Sequence, residues 1–318
     1  MKIGNFHIRH HDAFINFTDM LQEKTVKSVL NKHKQRDDWF LDDYSVNPYE
    51  GCSCNCQYCY IRGSRYGLNM ENSLAVKING PLILEKQLQA RARKHQYGFV
   101  AVGSATDAYI RQEEKFKITE SYLKLLLRYR FPVFISTKRT LIKRDVDLLA
   151  EIGRTAILPA DLTQGLKSGI ILSVSLSTMD EKISARLEPG AATPVERLNL
   201  VAELSALGFL VGVNAIPILP FISDTDHELE EIISAAKKHN AHYVLVGGLT
   251  LFGKEPADSK TLYYQFLESN YPELVGAYNE LYGNKYYPPR HYQDRLKQRA
   301  DRLCSHYQIR NCIINDNF

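Results

Sequence analysis

Short apolar segments alternate with segments of helical periodicity along most of the chain, and this alternation constrains the fold more than any other feature. The apolar segments are continuous and lie at residues 99–104, 132–137, 170–176, 209–215 and 242–247. The helical segments lie at residues 81–94, 119–130, 144–152, 193–207 and 225–239. Continuous apolar strands that alternate with helices form a parallel sheet covered by helices, so the sequence predicts an α/β fold.

Two of the predicted helices carry start signals in their sequence. Thr193 is followed by a proline and, three positions on, by Glu196, and this segment ends at Gly208, which predicts a capping box and a terminal glycine. Thr119 is the predicted N-cap of the segment that it opens.

A further strand ahead of residue 52 brings the predicted count to six, which is too few for a complete eightfold barrel and predicts an open, partial (β/α)6 barrel. Residues 1–40 are polar and basic and form a predicted N-terminal extension with one helix. Residues 41–254 form the predicted core domain. Residues 255–318 are aromatic and basic with helical periodicity, and we expect this helical C-terminal region to close the open edge of the sheet. A substrate-facing role for its tyrosines and arginines is the alternative.

The composition is typical of an ordinary soluble protein. The 318 residues carry a net charge of +4, and this excess is too small to indicate nucleic-acid binding by itself. The amino terminus lacks an apolar segment of signal-peptide length, and the longest nearly apolar run, residues 209–222, is too short for a membrane helix. We therefore expect a cytoplasmic protein with no membrane partner and no disulfides.

Four of the six cysteines fall within eight residues, at Cys52, Cys54, Cys56 and Cys59. A structural zinc site normally takes its ligands from two separated pairs, and the remaining Cys304 and Cys312 do not form such a pair. Without Cys54 the spacing is C-x3-C-x2-C. Three thiolates can hold three irons of a [4Fe–4S] cube while the fourth iron stays open.

The segment NPYEGCSCNCQYCYIR, residues 47–62, resembles the NPY-x-GC-x-H-x-C-x-YCY-x-R signature of the spore photoproduct lyase-like family, whose members are also described as DNA repair photolyases. This family belongs to the radical S-adenosylmethionine (SAM) superfamily, which favours an aromatic residue at the position of Tyr58. Segments 104–120, 131–149, 173–198 and 211–226 are similar in the same order, so the resemblance runs from about residue 42 to residue 252.

This resemblance implies the cofactors and a partial barrel of the radical SAM type. Cys52, Cys56 and Cys59 would bind a [4Fe–4S] cluster whose open iron takes the methionine part of SAM. Reductive cleavage of SAM, with an electron donor of the flavodoxin or ferredoxin type, would give a 5′-deoxyadenosyl radical that abstracts hydrogen from a substrate. Cys54 stands where relatives have histidine, and we expect it to donate a weak S–H bond rather than to bind iron.

The resemblance also implies SAM-binding positions, most of them at the carboxyl ends of the strands. The cofactor-binding candidates are Tyr58 and Tyr60 beside the adenine, Ser104, Thr106 and Asp107 for the methionine amino group, Lys138 for the carboxylate or ribose, Ser173 and Ser175 for the ribose, and Asn214 and Ile216 after the fifth strand. Structural alternatives are a loop cap for Asp107, a solvated charge for Lys138 and core hydrogen bonds for the serines. For Glu188 and Arg197, a structural ion pair is the favoured interpretation.

One feature departs from the family. Spore photoproduct lyases use a cysteine as hydrogen donor to the product radical, yet this chain has no cysteine between Cys59 and Cys304. Ser104 stands near the equivalent position, and its O–H bond is too strong to replace a thiol. Tyr109 and Asp107 are therefore the catalytic candidates. The substrate stays open between a nucleic acid, a peptide and a small molecule, and a zinc-stabilised nucleic-acid-binding protein is the alternative from another class.

Overall fold

The computed structural model describes residues 21–64, 67 and 74–314. Its strands are β1 (Gln22–Lys24), β2 (Asn31–Lys32), β3 (Asp42–Val46), β4 (Tyr49–Glu50), β5 (Ala75–Lys77), β6 (Phe99–Val102), β7 (Val133–Thr137), β8 (Ile170–Ser175), β9 (Leu210–Ile218) and β10 (Val244–Gly248). Its α-helices are α1 (Gly80–Ala92), α2 (Glu113–Phe116), α3 (Ile118–Arg128), α4 (Val146–Thr155), α5 (Glu181–Leu187), α6 (Pro194–Ala206), α7 (Asp226–Lys238), α8 (Ser259–Asn270), α9 (Val275–Tyr282) and α10 (Arg290–His306). Short 3-10 segments lie at Thr140–Asp145, Ala160–Leu162 and Pro272–Leu274.

Seven strands form the main sheet, in the order β10–β9–β8–β7–β6–β3–β2. Within this sheet the neighbouring strands among β10, β9, β8, β7, β6 and β3 are all parallel, and the β2–β3 pair at the edge is antiparallel. Within the described residues the two edge strands, β10 and β2, do not pair with each other, so the barrel is open. The six predicted parallel strands and the partial barrel are therefore confirmed.

The main sheet separates two apolar layers because successive side chains of a strand point to opposite faces. On the outer face, side chains such as Val133 and Leu172 pack against the surrounding helices. On the inner face, Phe134, Ile171 and the carboxyl-terminal Ile313 belong to a second cluster. This inner cluster uses the first residues of the strands, so the space beside their carboxyl ends is left for a site.

The helix signals of the sequence are confirmed at one position and wrong at another. Thr193 caps α6, and its side chain and that of Glu196 form the predicted capping box. Thr119 does not cap α3, which begins one residue earlier, after Lys117 in the left-handed conformation. Instead the Thr119 hydroxyl donates to the carbonyl of Ala108 at 2.5 Å, because the residue is fully buried and needs an internal acceptor.

The segment before the first parallel strand differs from its prediction. Residues 21–40 contain the short strands β1 and β2 rather than a helix, and the remainder of the predicted extension lies outside the described residues. Strand β1 pairs with β5 in a small separate sheet that also contains β4. Strand β2 pairs with β3 and so makes the extension part of the main sheet.

The carboxyl-terminal helices pack on the sheet and on the loop that carries the cysteines. Helix α10 lies against β10 and α7, and its Tyr292 hydroxyl donates to Asp224 at 2.5 Å. Helices α8 and α9 supply a tyrosine-rich cluster in which the hydroxyls of Tyr263 and Tyr278 are 2.9 Å apart and to which Tyr58 belongs. Among the helices that the structure describes, none combines the length and the apolar character needed to cross a membrane.

Candidate functional site

A cavity of about 460 Å³ opens on the inner face of the sheet, toward the carboxyl ends of the strands. All four clustered cysteines line it, together with polar residues from the ends of β6 to β9. The cysteine loop follows β3 and β4, so the topology carries it over this edge of the sheet. The predicted cysteine site and the predicted strand-end site are thus one cavity.

The cysteine loop is fixed by contacts from distant parts of the chain. Arg62 donates to the carbonyl of Cys56 at 3.1 Å and to that of Ala257 at 3.3 Å. Gly190 donates its N–H to the carbonyl of Cys54 at 3.0 Å and approaches so closely that a Cβ there would lie 1.8 Å from the carbonyl oxygen of Ser53. Position 190 therefore requires glycine for close approach rather than for its backbone angles.

The residues just before the cysteines attach the loop to the strand ends. The side chain of Asn47 accepts from the Ala105 N–H at 2.7 Å and donates to the Ser104 hydroxyl at 3.2 Å. The buried Tyr49 hydroxyl donates to Glu113. The Asn-Pro-Tyr part of the sequence signature is therefore a structural support for the loop.

The thiols lie close enough to affect one another's ionisation. Burial raises the pKa of Cys56 and of Cys59, and the neighbouring cysteines add to this effect. A hydrogen bond from Cys54 lowers the pKa of Cys52 and raises that of Cys54 itself. Cys54 Sγ also lies 3.8 Å from an oxygen of Asp107. One S–H proton cannot serve both acceptors, but both contacts favour the protonated form of Cys54, and the contact with Cys54 favours ionisation of Cys52 over that of Cys54.

Asp107 links three parts of the site. One carboxylate oxygen accepts from the Thr137 hydroxyl and from the Tyr109 N–H, both at 2.8 Å. The other accepts from the Lys138 N–H at 2.8 Å and faces Cys54. The loop after β6 and the end of β7 thus fix this carboxylate in position, and it in turn contacts the cysteine loop through Cys54.

A buried charge network lies beside Tyr58. The carboxylate of Glu188 is 2.5 Å from Arg197 and 3.8 Å from the Lys138 ammonium, and it accepts from the Tyr58 hydroxyl. Arg197 also donates to the carbonyl of Ser175 at 2.8 Å. Burial opposes ionisation of Glu188, but Arg197 and Lys138 hold its pKa below the usual value. The predicted structural ion pair is present, and it connects the cysteine loop to the end of β8.

Lys138 is the cation that this network presents to the cavity. Its ammonium lies 5.9 Å from the centre of the Tyr58 ring. Burial acts to lower the pKa of Lys138, yet the Glu188 carboxylate leaves it raised, so the side chain stays charged. A solvated surface charge is therefore not its role, because its side chain is 13% exposed.

Three polar side chains form a row across adjacent strands on the cavity floor. The hydroxyls of Ser136 and Ser175 are 3.1 Å apart, and the Asn214 amide donates to Ser136 at 3.3 Å. Within the described part of the chain, the buried Oδ1 of Asn214 has no hydrogen-bond partner. An unpaired buried acceptor is costly, and a ligand donor in the cavity would remove that cost.

Most predicted site residues line this cavity. They are Cys52, Cys56 and Cys59 among the metal candidates, and Tyr58, Tyr60, Ser104, Thr106, Asp107, Lys138, Ser175, Asn214 and Ile216 among the cofactor candidates. Tyr60 and Ser104 are the exposed members, and the Tyr60 hydroxyl donates to the carbonyl of Ser104 at 2.6 Å.

Two predicted site residues do not line the cavity. Ser173 points to the same face as Ser175 but lies deeper, where its hydroxyl is 2.9 Å from that of Tyr243. Tyr109 is fully buried in the outer core, and burial raises its pKa well above the usual value. The loop after β6 turns the Asp107 side chain toward the cavity and sends Tyr109 into the core, so we withdraw Tyr109 as a hydrogen donor.

Sequence reasoning missed one wall of the cavity. His33, Asp37, Phe40 and Asp42 line it; the first three belong to residues 1–40, which the sequence predicts as a separate extension, and Asp42 opens β3. Strand β2 has two residues, which is too short for any periodic signal. Ser136 was also missed, although it lies two positions before the predicted Lys138 in the same strand-end segment.

The cysteine cavity at the carboxyl ends of an open parallel barrel agrees with the comparisons to known proteins. A family model described as the radical SAM superfamily matches residues 46–236. The chain belongs to this superfamily. It is a radical SAM enzyme, and this membership displaces the zinc-stabilised nucleic-acid-binding protein considered from the sequence.

Individual relatives and solved structures extend the comparison. An uncharacterized protein of Mycobacterium tuberculosis is 29% identical over 272 residues, which cover 84% of this chain and 75% of that protein. A radical SAM Nalpha-GlyT isomerase of a Pseudomonas phage is 21% identical over 248 residues, which cover 76% of this chain and 46% of that protein. A mutant spore photoproduct lyase with bound AdoMet and dinucleoside spore photoproduct matches with a TM-score of 0.60 at 15% identity, over 90% of this chain and 79% of that one. This last likeness establishes the fold.

Proposed function

We propose that Cys52, Cys56 and Cys59 hold a [4Fe–4S] cluster and that the adjoining cavity binds SAM. The observation that carries this proposal is that the three cysteines and the polar strand ends face one cavity. The cluster would supply the electron that cleaves SAM to methionine and a 5′-deoxyadenosyl radical.

The residues present fit such a cluster. The three thiols are free, and each interacts with the others. Burial raises the pKa of Cys56 and of Cys59, so their ionisation needs a positive partner, and bound iron would be such a partner. The pKa of Cys54 is raised beside Cys52 and Asp107, which supports a role as a neighbour of the ligands rather than as a fourth ligand.

The remaining cavity residues fit a ligand with the charges of SAM. Lys138 offers a buried cation to a carboxylate, and the Ser175 and Asn214 side chains offer hydrogen-bond groups to ribose hydroxyls. Tyr58 and Tyr60 offer ring surfaces to an adenine. Asp107 acts as a positioning residue, since its carboxylate is already occupied by protein donors.

The substrate and the electron donor are the open parts of this proposal. The solved relative binds a dinucleoside photoproduct, so a nucleic acid is one candidate, and a peptide or small molecule is another. Photoproduct repair of the lyase type lacks its thiol donor here, because the described cavity contains only the clustered cysteines. We propose a reductant of the flavodoxin or ferredoxin type.

Electron paramagnetic resonance on the anaerobically reconstituted chain tests the cofactor assignment. We expect a reduced [4Fe–4S] signal whose shape changes when SAM is added, because SAM binds the iron without a protein ligand. A colourless protein with stoichiometric zinc, or a cluster signal indifferent to SAM, would contradict the assignment.

A further inference from the structure

One wall of the cavity comes from residues that precede the family domain. His33, Asp37, Phe40 and Asp42 all line the cavity, whereas the family match begins at residue 46. The antiparallel pairing of β2 with β3 places this segment along the open edge of the barrel. This wall is therefore built by the start of β3 and the segment that precedes it, ahead of the residues that the family model matches.

His33 and Asp42 form a fixed pair on this wall. His33 Nδ1 lies 3.2 Å from the Asp42 carboxylate, and Nε2 lies 3.3 Å from the Ser45 hydroxyl. The Asp42 residue is 4% exposed, whereas the His33 side chain is 31% exposed. Contacts on both ring nitrogens hold the imidazole in one orientation.

With both carboxylates ionised, the wall carries net negative charge even beside a protonated His33, because two carboxylates stand against one imidazole. The neighbouring Arg36 does not line the cavity and is committed elsewhere: its Nε lies 3.1 Å from Asp43, and its other nitrogens contact Asp161. In the described chain, the Lys138 ammonium is the other cation on the cavity, and it is paired with Glu188.

Asp37 is held with its carboxylate on the wall, and an apolar surface adjoins it. Its Oδ1 accepts from the N–H groups of Trp39 and Phe40, both at 2.8 Å. The rings of Phe40 and Phe134 lie 5.0 Å apart, and both line the cavity. A ligand here would meet carboxylates next to aromatic carbon.

The cavity also holds an acceptor that no protein donor satisfies. The Oδ1 of Asn214 is buried without a partner among the described residues. Asn214 lies on the floor proposed for SAM, so the acceptors left for a substrate on the wall are the carboxylates of Asp37 and Asp42. A ligand rich in N–H donors is complementary to this set, and a phosphate or carboxylate presented to the wall would meet like charge.

We propose that the wall of His33, Asp37, Phe40 and Asp42 recognises a protonated nitrogen of the substrate, with the carbon part of that group packed on Phe40 and Phe134. The inference rests on the proposed function, because it assigns the substrate end of the same cavity. It names a substrate class, an organic ammonium, that the family membership does not supply.

Three probes of matched size and different charge test it: phenethylammonium, phenethyl alcohol and hydrocinnamate. Their binding is measured by anaerobic equilibrium dialysis against the reconstituted full chain with SAM. We expect phenethylammonium to bind about tenfold tighter than the alcohol, and hydrocinnamate to bind weakest. Equal binding of the three probes, or preference for hydrocinnamate, would overturn the proposal.

Variants locate the effect on the wall. Asp42→Asn should weaken phenethylammonium binding about tenfold and leave the alcohol affinity as it was. Asp38→Asn is the matched control, since Asp38 is exposed and does not line the cavity, and it should change neither. If both variants weakened phenethylammonium binding equally, the effect would reflect the overall negative charge of the protein, and the assignment of the wall as the ammonium site would be refuted.

His33→Gln tests whether the preference for the ammonium probe depends on the imidazole, because glutamine keeps hydrogen-bonding groups but cannot carry charge. We expect it to retain the preference for phenethylammonium, and loss of that preference would contradict the proposal. Iron content and the SAM-induced spectral change are recorded on the same samples. A chain that binds cluster and SAM but shows no preference for the ammonium refutes this inference alone, whereas a chain without a cluster refutes the proposed function.

Discussion

At the scale of single residues, the four cysteines of the loop are not equivalent. Cys54 is the one buried member of the four, and its thiol lies against Cys52 and Asp107, whereas Cys52, Cys56 and Cys59 are partly exposed at the cavity. The sequence spacing alone predicts this division, and the hydrogen bond of Cys54 gives it a physical cause. Serine can replace the donor role of Cys54 but cannot replace a thiolate ligand.

Cys54→Ser should therefore retain its iron, with iron and acid-labile sulfide near the wild-type content after reconstitution. Serine at Cys52, Cys56 or Cys59 removes a ligand, and each of these variants should lose most of its iron. Loss of the cluster in Cys54→Ser, or its retention in all three others, would show that the ligand set is assigned wrongly.

The buried carboxyl group of Asp42 should lower the free energy of unfolding at neutral pH. Burial raises its pKa from 3.8 to about 6. Below pH 3.8 the carboxyl group is protonated in both the folded and the unfolded state, so it does not lower the free energy of unfolding. As pH rises, the unfolded state ionises first, so the cost grows until pH passes the folded value.

Asp42→Asn should thus be more stable than wild type near pH 7, and its advantage should shrink by about 1 kcal/mol toward pH 5. Urea unfolding of the metal-free full chain at the two pH values measures this difference. Asp38→Asn serves as the exposed control. An advantage that does not change with pH would mean that the carboxyl group is not perturbed.

At the scale of elements, the loop between α5 and α6 holds the cysteine loop by two independent contacts. Glu188, which pairs with Arg197 of α6, accepts from the Tyr58 hydroxyl, and the Gly190 N–H donates to the carbonyl of Cys54. The Glu188 contact is buried and the Gly190 contact is half-buried, and both lie beside the proposed cluster rather than on it. They can be weakened one at a time.

Glu188→Gln should lower the free energy of unfolding by about 3 kcal/mol, because it leaves the buried Arg197 without a counter-charge. The control is Glu203→Gln, which removes an exposed partner of Lys143 at 2.9 Å and should change stability by less than about 0.5 kcal/mol. Urea unfolding compares the two. Equal effects would show that the buried pair contributes no more than a surface pair.

Gly190→Ala should displace the cysteine loop, since its Cβ would lie 1.8 Å from the carbonyl oxygen of Ser53. We expect a loss of about 2 kcal/mol and a lower iron content after reconstitution. Gly276→Ala has nothing within 4 Å of the added Cβ and should keep both stability and iron. Full iron loading in Gly190→Ala would mean that the loop has room to adjust.

At the scale of the whole molecule, the sequence predicts the barrel well because its strands are long and apolar. Five parallel strands overlap their predicted segments, the sixth, β3, lies ahead of residue 52 as predicted, and α6 begins at its predicted cap. Strands β1, β2, β4 and β5 are only two or three residues long, so no periodicity in the sequence identifies them. Their pairing depends on the tertiary fold.

The sequence predicts which strand ends form the site, but it does not predict how deep in the barrel each side chain lies. Ser175 and Lys138 line the cavity as expected, while Ser173 has the correct face but lies one layer below. Strand alternation gives the face of a side chain and not its height in the barrel. The place of His33 was hidden for a related reason, because this residue directly follows an edge strand of only two residues.

The measurement that tests the central claim most directly is the formation of 5′-deoxyadenosine from SAM. The reconstituted chain is reduced with dithionite under anaerobic conditions, and the product is quantified by liquid chromatography. We predict that the wild-type chain forms 5′-deoxyadenosine and that Cys56→Ser, treated identically, forms none. A wild-type chain that carries its cluster but never cleaves SAM, or a Cys56→Ser chain that cleaves it equally well, would contradict the account.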